Sequence, residues 1–170
     1  MQAALGRRGD YSVRAMLHLA RHSGKGRQKA REIAAEMGIP DRFLTQILAN
    51  LVREGLLTAV AGPDGGYELA SDAGEITLLE VVEAAEGPIR LDRCVLRGGA
   101  CDWTQACPVH EAWTRAQNGM IRELEKTSFA DLCRIDAAIM SGTYQLPADA
   151  PTHPRPTARK GSRPPEASGS

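Results

Sequence analysis

Aromatic side chains are scarce in this sequence of 170 residues: two Trp, three Tyr and two Phe make up 4% of it. Apolar residues reach 42%, so an ordinary core is within reach, but aliphatic side chains must fill it. No apolar run approaches the roughly 18 residues that a membrane helix needs. The opening "MQAALGRRGDYSV" holds no apolar stretch of signal-peptide length. Neither a nucleophile–base pair nor a phosphate-cradling loop is visible, which argues against an enzyme. The chain is therefore expected to be a cytoplasmic, non-membrane protein, either one domain or a small domain with an appended segment. Cysteine is sparse as well, four in all, yet three of them fall in "CVLRGGACDWTQACPVH" at 94–110. In a reducing compartment, clustered thiols more often bind metal than cross-link.

Net charge is absent too, but its zero conceals a division. Residues 1–60 carry ten Lys or Arg against five Asp or Glu, and residues 61–146 carry seven against fourteen. In the first 31 residues eight basic side chains face a single acid, Asp10. Such asymmetry suggests a polyanion-binding face in the N-terminal part, although a solvated basic surface would look the same.

"DYSVRAMLHLARH" sets Val13, Met16, Leu17 and Ala20 at helical spacing, with Arg14, His18, Arg21 and His22 on other faces. After the polar break "HSGKGRQK", "AREIAAEMG" predicts a short helix with Ile33, Ala34 and Met37 inward, stopped by Gly38. "IPDRFLTQILANLVREG" predicts a second, with Asp41 as its cap and Phe43, Leu44, Ile47, Leu48 and Leu51 inward. Two short helices across a glycine turn are the pattern of a helix-turn-helix, or of any helical hairpin. The strand-like runs "LLTAV" and "YELA" follow, flanking "AGPDGG", a strong turn signal. A helix-turn-helix followed by a β-hairpin is a winged helix, and with the basic N-terminal part it favours DNA binding. The expected fold is mainly α with a small β-wing.

"EITLLEVVEAAEG" predicts a further helix with Leu78, Val81, Val82 and Ala85 inward. Pro108 suits a first helical position. The long segment behind it sets Val109, Trp113, Ala116, Met120 and Leu124 at spacings of three and four. That stripe could cover the chain's own core, but after a complete small domain a long helix suggests dimerisation with two-fold symmetry. "TSFADLCRIDAAI" predicts a last helix capped by Thr127 or Ser128. From Pro147 onward six of 24 residues are proline, and disorder is expected. The expected organisation is a DNA-binding domain over 1–75, a cysteine-loop sensor and dimerisation region over 76–146, and a tail over 147–170.

The thiol loop reads C-x6-C-x5-C-x2-H. Structural zinc sites usually bring ligands in close pairs, and only Cys107 and His110 meet that condition. Wide spacing around Gly98 and Gly99 suits wrapping something larger, and soft thiolates suit an iron–sulfur cluster. Zinc, a thiol switch and simple packing remain open on spacing alone. Trp103 could shield such a site or only pack the loop. Cys133 reads as an ordinary buried small residue, and Trp113 as core. His18 and His22 stand at i, i+4, a possible ligand pair. With arginines around them and no third ligand nearby in sequence, they are read as a solvated face.

These pieces in this order resemble the Rrf-two family of winged-helix transcription regulators. The matching stretches are "GDYSVRAMLHLA", "AREIAAEMGIPDRFLTQILANLVREGLL", "AGPDGGYELA", "TLLEVVEAAEG", the three cysteines and "CPVHEAW". The likeness covers roughly residues 6–135 and implies a dimer that binds double-stranded DNA. It also implies a 2Fe–2S or 4Fe–4S cluster on Cys94, Cys101 and Cys107, the 2Fe–2S form being the expectation. The fourth ligand implied is His110 in one branch of the family and Asp10 in another; the expectation here is His110, with Asp10 the alternative. For DNA, the likeness directs attention to Arg42, Thr45 and Gln46 at the start of the recognition helix. Arg7, Arg8, Lys25, Arg27 and Lys29 are candidate phosphate contacts. Where members often carry a wing arginine, this chain has Ala61, with Asp64 in the turn, which puts minor-groove readout by the wing in doubt. The expected function is a DNA-binding regulator, a repressor by expectation, governed by cluster chemistry. The rivals are the same fold with a cluster-free thiol or zinc switch, and a protein-interaction adaptor.

Overall fold

The computed structural model describes residues 5–89 and 107–145. Cys94, Cys101, Trp103 and the tail from Pro147 lie outside the described residues. The elements run α1 (Arg7–Arg21), α2 (Ala30–Met37), α3 (Asp41–Arg53), β1 (Leu57–Val60), β2 (Gly66–Leu69), α4 (Leu78–Glu86), α5 (Pro108–Lys126) and α6 (Phe129–Met140). Among the described residues, six helices and a two-stranded antiparallel sheet give a winged helix-turn-helix followed by α4, the long α5 and the shorter α6. No described helix is long and apolar enough to cross a membrane.

The helix-turn-helix forms as its apolar spacing directs. Ile33, Ala34 and Met37 of α2 and Leu44, Ile47, Leu48 and Leu51 of α3 are buried. Between them Gly38 takes the left-handed conformation, φ 63°, which costs glycine least. Buried Ile39 then pins the turn to the core. Asp41 is not the cap expected of it. Pro40 stands at the N-cap without a side-chain bond, and Asp41 lies in the first turn, where its charge complements the helix dipole.

In the wing, Leu57 pairs with Leu69 and Val60 with Gly66. Gly65 is obligatory in the turn, since a Cβ there would stand 2.1 Å from the Val60 carbonyl oxygen. The segment before α2, read from sequence as a polar break, is held against the wing. Gln28 and Tyr67 exchange both backbone hydrogen bonds, each 2.9 Å.

Behind the helix-turn-helix, α1 is the central element, packed by α2, α3, α4, α6 and the wing. Its buried apolar residues are Ala15, Met16, Leu19 and Ala20, while Val13 and Leu17 are half-buried. Thr77 caps α4 in a reciprocal box with Glu80, and Ser128, rather than Thr127, caps α6 in another with Asp131. Phe129 is fully buried at the head of α6, where its loss would cost about 3–5 kcal/mol. Helix α5 differs from the rest: it packs mainly on α4 and buries none of its residues. Trp113, read as core, is only half-buried for that reason.

Candidate functional site

Helix α3 offers its first two turns outward. Arg42, Thr45 and Gln46 are exposed, spaced so that all three side chains leave the same end of the helix. The Arg42 guanidinium lies 4.8 Å from the Phe43 ring centre. The ring is half-buried and the cation exposed, and such a contact contributes about 0.5–1 kcal/mol. The Thr45 hydroxyl donates to the Asp41 carbonyl at 3.3 Å. The Gln46 side chain makes no hydrogen bond among the described residues, so its amide is open to an incoming partner.

The basic candidates divide into two groups. Arg7 and Arg8, exposed at the start of α1, line a cleft of about 420 Å³ with Tyr11, Phe43, Gln46 and Arg53. They therefore stand beside the recognition helix. Lys25, Arg27 and Lys29 lie on the segment that joins the wing. Arg27 is ion-paired with Glu68 at 3.2 Å, and the Lys29 ammonium donates to the Pro63 carbonyl in the wing turn. Ala61 and Asp64 are exposed at the wing tip, which carries no cation of its own.

Three contacts that sequence reasoning did not find converge on the last turn of α4, just before the thiol loop. The Glu86 carboxylate accepts from the Gly9 amide at 2.8 Å, from 77 residues away. It thereby satisfies an unpaired N–H at the start of α1 and complements the helix dipole, a contribution of about 0.3–1 kcal/mol. Asp10, on the same turn, pairs with Arg14 at 2.9 Å. The buried Asn50 amide of α3 donates to the Ala84 carbonyl at 2.7 Å, and Arg53 donates to the Asn50 side-chain oxygen. The Ile89 amide donates to Glu83 at 3.0 Å, fixing the chain where it leaves α4. Nothing in the local pattern signals the first two bonds, because each joins elements distant in sequence.

On the far side of the loop, Cys107 is a half-buried free thiol at the N-cap of α5. Exposed His110 sits on the first turn, its amide bonded to the Cys107 carbonyl at 3.1 Å. Thiol and imidazole thus share one helical turn that Pro108 starts. Among the stripe residues, Val109, Ala116 and Met120 are exposed, and Trp113 and Leu124 half-buried.

The two histidines of α1 do not form a solvated face. His18 is 1% exposed and His22 half-buried, because α2 and the wing cover the side of α1 that its apolar stripe does not define. Burial lowers the His18 pKa, opposed by the nearby Glu36 carboxylate. Neither ring nitrogen of His18 makes a hydrogen bond of good geometry, which costs about 1–3 kcal/mol for a buried polar group. Cys133 is half-buried rather than fully buried, and desolvation raises its thiol pKa, keeping it protonated and unreactive.

A helix-turn-helix whose second helix keeps one face exposed, a short wing after it and arginines beside that helix define a winged-helix DNA-binding protein. Residues 5–135 match the Rrf2 family, whose description is "Iron-dependent Transcriptional regulator". The chain belongs to that family: it is a DNA-binding transcription regulator and not an enzyme. It is similar to the HTH-type transcriptional regulator IscR of Citrobacter koseri, 31% identical over 148 residues, which span 87% of this chain and 90% of that one. Among solved structures it resembles T. potens IscR, with a TM-score of 0.66, 26% identity and coverage of 81% and 90%. It also resembles CymR, the global cysteine regulator of B. subtilis, with a TM-score of 0.68, 25% identity and coverage of 78% and 98%.

Proposed function

We propose that this regulator acts as a homodimer whose operator affinity is set by an iron–sulfur cluster carried on the 94–110 loop. One observation supports this above the others: the last turn of α4, the described helix that precedes that loop in sequence, is bonded through Glu86–Gly9 and Ala84–Asn50 to α1 and α3, which carry candidate DNA contacts. Residues 1–75 would contact DNA and 76–146 sense and dimerise, across a core that both share.

The residues fit a cluster by their chemistry. Cys107 presents a free thiol at a helix N-terminus, where the dipole favours an anionic group beside it, with the His110 imidazole one turn away. Together with Cys94 and Cys101 this is a soft donor set suited to iron–sulfur ligation. Cys94, Cys101, Cys107 and His110 would hold the cluster, with Asp10 the alternative to His110. When bound, it supplies a centre that responds to oxidants, nitric oxide or iron supply. The chain's own part is transmission. Ile89–Glu83 fixes the chain where it leaves α4, and Cys107 and His110 stand at the start of α5, so a change of ligation at the cysteines would bear on the last turn of α4. Glu86 then moves the start of α1 with Arg7 and Arg8, and Ala84 moves α3 with Arg42, Thr45 and Gln46.

Dimerisation would use α5, whose stripe of Val109, Trp113, Ala116, Met120 and Leu124 is left without full cover among the described residues. Arg42, Thr45 and Gln46 would read bases, and Arg7, Arg8, Lys25, Arg27 and Lys29 would hold phosphates. Protein purified without oxygen should be brown or red and contain iron and acid-labile sulfide near stoichiometry. Colourless protein holding zinc, or no metal after anaerobic reconstitution, would contradict the cluster and favour a thiol or zinc switch.

A further inference from the structure

The end of α1 meets the end of α2 in a cluster of His18, His22 and Glu36. His18 and His22 stack with ring centres 4.3 Å apart, and Glu36 reaches them from α2. One donor atom from each of the three residues lies within 4.8 Å of the others. The His18 Nδ1 and Glu36 Oε2 atoms are 3.3 Å apart. Two ligands held about 2.0–2.1 Å from one tetrahedral zinc ion stand roughly that far from each other.

Two further features suit a cation. His18 is buried, and although the Glu36 carboxylate and the Gln28 side chain lie near its ring, neither ring nitrogen has a hydrogen bond of good geometry, which leaves it able to take an ion. The His22 Nδ1 lies 2.8 Å from the His18 carbonyl oxygen. A carbonyl can only accept, so Nδ1 carries the proton and the Nε2 lone pair is left for a ligand bond. This is the arrangement that orients metal-binding imidazoles.

We propose that His18, His22 and Glu36 form a binding site for a divalent transition ion of zinc type, which ties α1 to the first helix of the helix-turn-helix. Two imidazoles and one carboxylate are a donor set that zinc takes with a fourth position left to water. The Arg21 guanidinium, 3.3 Å from Glu36 Oε1, holds the other carboxylate oxygen and leaves Oε2 to face His18. Its positive charge opposes the ion, but it is itself paired with Asp136 at 2.6 Å. The site closes by drawing His22 and Glu36 inward, both being at least partly accessible.

Loop thiols must be kept from contributing to the test. Full-length protein with Cys94, Cys101 and Cys107 replaced by serine is titrated with Co2+ in the absence of oxygen. Wild-type protein alkylated at its accessible thiols serves as a second sample. One equivalent of Co2+ should bind, giving visible bands of a nitrogen- and oxygen-ligated ion without sulfur charge transfer. Zn2+ should displace it and raise the unfolding temperature. His22→Ala and Glu36→Gln, both at accessible positions, should each weaken Co2+ binding by about tenfold or more. Unchanged affinity in either variant, or no saturable uptake in both samples, would overturn the site.

Discussion

Ser128 and Asp131 close the start of α6 reciprocally. The Ser128 amide and hydroxyl donate to one Asp131 oxygen at 3.0 and 2.7 Å, and the Asp131 amide returns a bond at 3.1 Å. The Ser128 hydroxyl and amide hold the Asp131 pKa below the ordinary carboxylate range. A depressed folded-state pKa means that the contribution is present above the unfolded value and is lost as pH falls through the folded one. Asp131→Asn should therefore unfold at lower temperature than wild type at pH 7, and the gap should narrow as pH drops below the carboxylate range. A gap independent of pH would contradict this. Ser128→Ala, which removes the cap itself, should cost about 1 kcal/mol. The fourth ligand of the proposed cluster is also a question of single residues. Asp10 pairs with Arg14 and the His110 Nε2 stands 3.5 Å from the Thr114 hydroxyl, so the preference for His110 rests on its sharing a turn with Cys107. His110→Ala should shift the cluster's absorbance and hasten its loss in air, while Asp10→Ala leaves the spectrum intact. The reverse pattern would assign the ligand to Asp10.

At the scale of elements, α3 carries the prediction that separates readout from attraction. Arg42→Ala and Gln46→Ala should each reduce the preference for operator over random DNA by about 1–3 kcal/mol, the worth of one bidentate pairing with a base edge. Competition binding against both DNAs measures it, and undiminished discrimination would mean that another element reads the bases. The helices and the hairpin stand where apolar spacing and turn residues placed them, because these signals act within a few residues. Ile33, Ala34 and Met37 face inward for the same reason that they recur at three and four. What escaped the sequence joins distant segments: Glu86 on the Gly9 amide, Gln28 along Tyr67, and Glu36 beside His18. Even the histidines' burial followed from what packs over α1 rather than from their own pattern. Cap assignment failed at Asp41 for a smaller reason, since Pro40 already sets the extended entry that a cap residue needs.

For the whole molecule, the described bonds join the last turn of α4 to α1 and α3, the helices that carry Arg7, Arg8, Arg42, Thr45 and Gln46. Coupling between two such sites typically amounts to about 1–3 kcal/mol, or roughly 5–150-fold in affinity. Glu86 and Asn50 are the side chains through which it would pass, and neither belongs to the proposed cluster ligands or base contacts. The most direct measurement is operator affinity, at fixed salt and without oxygen, for cluster-loaded and cluster-free protein, repeated for Glu86→Gln. The two wild-type forms should differ by at least about fivefold. Glu86→Gln should narrow that difference while the cluster's absorbance stays unchanged. Equal affinities of loaded and cluster-free wild type would contradict control of DNA binding by the cluster.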